Sequence, residues 1–299
     1  MKIEKLYIAF SLLVCIIFCS SKLPKPYKKA KKQNWMYVKD SVLMLAHEMK
    51  NGDYLVYLQD LLKSNDKTAY QKALPDTTVW IENKNFKYFE PFVRYYFRHS
   101  AYKEFPLVGI SYEQAQNYCQ WLTNKVNSIE SKLFKKVLIR LPNKAEWIMA
   151  ANAGKQNREY PWDGKFVRNS RGNYLANFKA IGEENIKEDS TGDLTINKCY
   201  KTVKVFQSNK IDTVFKGYVN CEDDIDKFIT TAVYSYWPNE LGLYNMAGNV
   251  SELLAEKNQY IGGDWNSIAY YLNLNTEPRT SVKPLPNVGF RYLIQILEF

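Results

Sequence analysis

Arg140-Leu141-Pro142-Asn143-Lys144-Ala145-Glu146-Trp147-Ile148-Met149-Ala150-Ala151 is the last stretch of this chain with clear helical periodicity, and its position decides the fold class. Asn143 is placed to cap the free N–H groups of a helix, and Glu146, three residues on, to bond the cap's own N–H. Trp147, Ala150 and Ala151 then share the core face. Upstream, Ser111 and Gln114 make the same pair ahead of Ala115, Tyr118, Cys119, Leu122 and Val126, one helical stripe. Residues 48–63 put Tyr54, Tyr57, Leu58 and Leu61 on a further helical face. Beyond residue 152 the period fades into turns and short strands, among them Tyr160-Pro161-Trp162-Asp163-Gly164, Trp237-Pro238-Asn239 and Gly262-Gly263-Asp264-Trp265. The more polar stretch at about 179–225 reads as an insertion. Its strand-like runs, Tyr200–Phe206 and Ile211–Val219, predict a hairpin around Ser208-Asn209-Lys210. The expectation is an α+β domain over 35–299, with few helices and low regularity in its second half.

The net charge of +10 over 299 residues is concentrated, because Lys22–Lys32 holds six Lys and no acidic residue. The remainder is only mildly basic, so no nucleic-acid partner is expected. Two prolines in the basic stretch predict an extended, solvated tether over 20–34. Before it, Lys2 and Lys5 precede the apolar run Ile8–Phe18, the pattern of an export signal over 1–19. The alternative is an uncleaved anchoring segment. Cys19 at the border is the candidate lipidation residue, with Cys15 second. One acyl chain plus a basic segment would supply the two signals that stable membrane attachment needs. No apolar run reaches the ~18–20 residues of a spanning helix, which excludes a multi-pass protein. An exported chain forms disulfides. Cys199 and Cys221 flank the predicted hairpin and are the candidate pair, whereas Cys119 reads as a buried free thiol.

A set of blocks, taken in order, resembles the formylglycine-generating-enzyme (sulfatase-modifying factor) family. They are Phe105-Pro106-Leu107-Val108-Gly109-Ile110-Ser111, Arg140-Leu141-Pro142-Asn143, Ala145-Glu146-Trp147, Tyr160-Pro161-Trp162, Ala176-Asn177, Gly242-Leu243-Tyr244-Asn245-Met246-Ala247-Gly248-Asn249-Val250, Gly262-Gly263-Asp264-Trp265 and Gly289-Phe290-Arg291. The resemblance implies a C-type-lectin-like α+β fold. A narrower resemblance lies in Leu74-Pro75-Asp76-Thr77-Thr78-Val79-Trp80 and Tyr95-Tyr96-Phe97-Arg98-His99-Ser100-Ala101-Tyr102. These stretches are similar to lipoproteins of gliding motility and type IX secretion in Bacteroidota, which carry the domain as a noncatalytic body. That implies an outer-membrane anchor facing the periplasm or cell surface, with other envelope proteins as partners.

The family's oxidase implies two Cys between the Gly-Gly-x-Trp and Gly-Phe-Arg blocks, where soft copper(I) prefers sulfur. Here that window, Asp264–Val288, contains no Cys, so copper is not expected. The only His, His47 and His99, cannot supply a three-His iron site. Gly248-Asn249-Val250-Ser251-Glu252 offers oxygen donors suited to calcium. The resemblance implies Asn249 and Glu252 at one calcium site, and Asn177 with Asp226 at a second. The alternative for the first is a Gly-Asn turn beside a salt-bridged Glu. A noncatalytic, membrane-anchored binding or scaffold protein is therefore expected, a pseudoenzyme of the family. The other readings are an oxidase with a divergent site and a carbohydrate-binding module, the latter favoured by a solvent-exposed aromatic row beside a calcium.

Overall fold

In the computed structural model the described residues are 25–81, 90–130, 133–180, 186–188, 190, 194–196, 199–207, 210–219 and 229–299. Cys19, Cys221 and Asp226 lie outside them, and so do the lipidation site and one half of the candidate disulfide. In chain order the elements are α1 (Lys25–Lys31), β1 (Trp35–Lys39), β2 (Val42–Leu45), α2 (Asn51–Lys63), α3 (Lys67–Ala73), α4 (Glu90–Tyr95) and α5 (Tyr112–Ser128). They continue with β3 (Lys136–Arg140), α6 (Lys144–Ala151), β4 (Ile186–Glu188), β5 (Leu194–Ile196), β6 (Cys199–Gln207) and β7 (Lys210–Val219). The chain closes with β8 (Ser251–Leu253), β9 (Gln259–Ile261), β10 (Arg279–Thr280), β11 (Val288–Gly289) and β12 (Leu293–Glu298).

The main sheet has the order β1-β2-β12-β3, antiparallel throughout, so the last strand is clamped between early ones. Alternation assigns its faces. Leu43, Leu45 and Ile294 join the core built with α2 and α5, whereas Met44 and Leu293 pack on the opposite side with Trp147 and Ala150 of α6. On the first side Tyr54 and Tyr118 stack at 5.5 Å, with Tyr57 edge-on to both. Such ring pairs contribute about 0.5–1.5 kcal/mol each beyond buried area. The buried Tyr54 hydroxyl donates to the Ala73 carbonyl, so its burial leaves no unmet polar group.

A second small sheet, β10-β9-β8-β11, brings Ser251, Glu252, Tyr260 and Arg279 alongside one another. Both predicted capping boxes form, at Ser111/Gln114 and at Asn143/Glu146. The predicted hairpin forms as well, β6 pairing with β7 and Cys199 lying opposite Val219. Cys119 is a buried free thiol. The helix read over 48–63 begins only at Asn51, because Lys50 bridges to Pro106 in extended geometry.

The basic stretch departs from the expected tether. Lys25–Lys31 is helical, with Tyr27 and Ala30 buried in the main core and Lys28, Lys29 and Lys31 exposed. Tyr27 packs edge-on against Tyr37 and Phe299 and tilted against Phe134. Among the described residues no helix is long and apolar enough to cross a membrane.

Candidate functional site

Between the two sheets lies a buried polar network whose carboxylates outnumber its cations. Arg291 follows Phe290 at the start of the return into β12, and its side chain is fully buried. Its guanidinium bonds Glu252 at 2.6 Å and also donates to the Leu45 and Tyr244 carbonyls. Trp147 Nε1 donates to the same Glu252 carboxylate at 2.7 Å. Glu48, placed by the end of β2, accepts from Asn245 Nδ2 at 3.0 Å and from Asn249 Nδ2 at 2.8 Å. Among the described residues no cation bonds it directly. Burial therefore pushes the Glu48 carboxyl up to about 8, Arg291 opposing and Glu252 reinforcing that shift. Next to it, burial pulls His47 down to about 4, and its Nδ1–H donates to the Glu48 carbonyl. Asn245 and Asn249 both sit at positive φ, 49° and 64°, the left-handed turn geometry that Asn tolerates. That geometry aims both amides at Glu48.

A second cluster occupies the window between Asp264 and Val288. Asp264 is fully buried and accepts from Ser251 Oγ at 2.9 Å and Arg279 at 2.6 Å. Arg279 also donates to Ser251 Oγ and Ser267 Oγ and lies over the rings of Tyr260 and Tyr271. Every charge here is compensated and both hydroxyls are engaged, which gives a packed ion pair with no free nucleophile. The one described free thiol, Cys119, is elsewhere, in the main core, where burial pushes it far up. A thiol kept protonated is neither nucleophile nor copper ligand.

The family model of the sulfatase-modifying factor enzyme 1-like domain matches residues 67–296. The chain belongs to this family. The mouse formylglycine-generating enzyme is 24% identical over 253 residues, covering 83% of this chain and 51% of that one. The bovine inactive C-alpha-formylglycine-generating enzyme 2 is 35% identical over 66 residues, 22% of this chain and 17% of that one. The chain thus spans about half or less of the length of these curated relatives. Among solved structures, the Treponema denticola variable protein 1 gives a TM-score of 0.46 at 14% identity, covering 88% of this chain and 91% of that one. The matched span begins after β1, β2 and Glu48. Residues ahead of it nonetheless complete the main sheet and the buried network of this family domain.

The calcium candidates separate within the domain. Asn177 and Asn249 meet, Nδ2 to Oδ1 at 3.3 Å, and Asn177 Oδ1 is buried without a hydrogen-bond partner among the described residues. Asn249 Oδ1 already accepts from the Thr231 backbone N–H at 2.8 Å. Glu252 does not fit as a calcium ligand, since its oxygens are held by Arg291 and Trp147. It is the salt-bridged Glu of the alternative reading. Among the described residues no three His, Cys, Asp or Glu side chains gather as a metal site.

Two features escaped the sequence reading. Glu48 carried a signal, a lone acid directly after the apolar run Val42–Ala46 and His47. The other is a cavity of about 280 Å³ between the Pro161–Asp163 loop and residues 236–247. Its aromatic lining was legible only as two separate turn motifs, because their meeting is a tertiary fact.

Proposed function

We propose that this chain is a noncatalytic binding component of the bacterial envelope, a membrane-anchored lipoprotein of a gliding-motility or type IX secretion assembly. The observation that carries the noncatalytic half is the Asp264–Val288 window: it has no Cys, and the pairing of buried Asp264 with Arg279 ties down Ser251 and Ser267. A neutral hydroxyl does not replace a thiolate toward copper(I). A relative named as inactive is consistent with a family whose scaffold persists without its chemistry. The assembly half is supported by the resemblance of residues 74–80 and 95–102. Those stretches meet in one aromatic cluster, Trp80 lying 4.8 Å from Tyr96 and stacking on Trp265 at 6.3 Å.

The test incubates the purified chain with copper, oxygen and a Cys-containing sulfatase peptide, beside an active formylglycine-generating enzyme. No conversion of Cys to formylglycine above background is expected, and conversion overturns the noncatalytic reading. Affinity purification from native membranes tests the assembly half. Envelope secretion or motility proteins are expected to co-purify, and the Cys19→Ser variant is expected in the soluble fraction.

A further inference from the structure

The cavity on the second half of the domain lies outside the Asp264–Val288 window and is not explained by anything above. At about 280 Å³ it is near the lower end of ligand-sized cavities, which matches one small ring better than an extended peptide. Three observations restrict what fits.

The first is a pair of indoles. Trp162 is fixed in orientation, stacked on Tyr160 at 5.1 Å with an interplanar angle of 3°, and its Nε1 donates to the Phe166 carbonyl. Trp237 also lines the cavity, is 63% exposed, and makes no hydrogen bond or ring contact with another described residue. An indole left this open keeps a face for a flat apolar surface of a ligand.

The second is unmet hydrogen-bonding capacity. Asn245 lines the cavity at 7% exposure. Its Nδ2 is spent on Glu48 and the Val233 carbonyl, while its Oδ1 accepts no hydrogen bond among the described residues. The half-buried Tyr236 hydroxyl also has no partner among the described residues, and burial raises its pKa, keeping it a neutral donor and acceptor. Polar groups held in a pocket without partners favour a ligand that pairs them.

The third is charge. The rim carries Asp163 and Glu240, but Arg158 bonds both, and Lys155 adds contacts at 2.6 Å to Glu240 and 3.4 Å to Asp163. Two acids and two bases cancel. A cationic ligand would find no uncompensated carboxylate, and an anionic one would have to break the pairs. The fitting ligand is neutral, has an apolar face, and carries hydroxyl donors.

We infer that this cavity is a binding site for a neutral pyranose sugar, one ring of a glycan. Its C–H face packs on Trp237 and Trp162, a ring hydroxyl donates to Asn245 Oδ1, and another pairs with the Tyr236 hydroxyl. This deepens the binding-protein reading above and rests on it.

The experiment uses the full chain in detergent micelles. It titrates glucose, galactose, mannose, N-acetylglucosamine and their disaccharides, following tryptophan fluorescence and saturation-transfer NMR, with choline as the cationic probe. At least one sugar is expected to saturate. Trp237→Ala is expected to weaken it about tenfold or more, and Tyr236→Phe about three-fold, with little change in melting temperature because the indole is 63% exposed and neither removed group makes a hydrogen bond with a described residue. Absence of saturation by every sugar, preference for choline, or sugar binding that survives Trp237→Ala each overturns the site. None of these outcomes touches the formylglycine assay, so failure of the ligand and failure of the noncatalytic reading are distinguishable.

Discussion

Glu48→Gln removes the one buried carboxyl without a directly bonded cation while keeping its shape. The native carboxyl titrates near 8, against about 4.3 for an unfolded chain. A folded pKa raised in this way contributes stability that is whole below about pH 4.3 and is lost as pH rises through about 8. Each pH unit within that window costs about tenfold in the folding constant, which accumulates to about 3.7 kcal/mol by pH 7. His47 works with the opposite sign. Its folded value near 4 lies below the unfolded value of about 6.5, so stability is gained as pH rises between the two. The wild-type profile is therefore nearly level from about pH 4.3 to 6.5, where the two effects cancel, and falls from about 6.5 to 8.

Glutamine does not titrate, so the variant should rise from about pH 4 to 6.5 on His47 alone and then stay flat. Gln also presents an amide donor to one of the two Asn amides, a fixed cost of about 1 kcal/mol. The variant is expected to be less stable than wild type near pH 4 and more stable by about 2.7 kcal/mol at pH 7. The profiles should cross between. Urea unfolding followed by tryptophan fluorescence at a series of pH values measures this directly, with equal m-values as the check on two-state comparison. Parallel profiles from pH 4.5 to 8 would refute the argument, showing that Glu48 is ionised in the native state throughout.

Arg291→Met strands the Glu252 carboxylate among Trp147 and backbone, and a loss of about 3–5 kcal/mol is expected in the same urea assay. A loss below about 1 kcal/mol would mean that water reaches the pair. Gly109→Ala places a Cβ 2.3 Å from the Asp76 carbonyl oxygen at φ +69°, so a loss of about 3 kcal/mol or more is expected as a lowered melting temperature. Ser111→Ala removes one acceptor from the α5 capping box and is expected to cost about 1 kcal/mol. Alkylation at pH 8 followed by peptide mapping should leave Cys119 unmodified in the native chain and modified in urea, since its thiol is buried and held protonated.

What the sequence discloses follows the range of the interactions that fix each feature. A capping box closes within four residues, so Ser111/Gln114 and Asn143/Glu146 can be read from spacing alone, and both form. The β6–β7 hairpin is nearly as local, since its turn lies between paired strands. The segment Lys25–Lys31 is a different case. Its six-lysine surroundings argue for solvent, but Tyr27 and Ala30 are buried because Phe134 and Phe299, more than a hundred residues away, provide rings for Tyr27 to meet. No local pattern carries that. The candidate site is non-local in the same way. Glu252 and Arg291 stand 39 residues apart, and Glu48 and Asn245 stand 197 apart. The pairing of Glu252 can be weighed in advance only as an alternative to calcium. Glu48 stands directly after an apolar strand, a local signal, but its partners are the amides of two left-handed Asn turns far along the chain. Asn245 faces two demands. Its nitrogen is taken by the core carboxyl and its oxygen is left at the cavity. A change of charge at Glu48 would therefore reach the proposed sugar site through one side chain. Ionising Glu48 above pH 8 strengthens its hold on the Asn245 nitrogen, and keeps the oxygen turned toward a ligand.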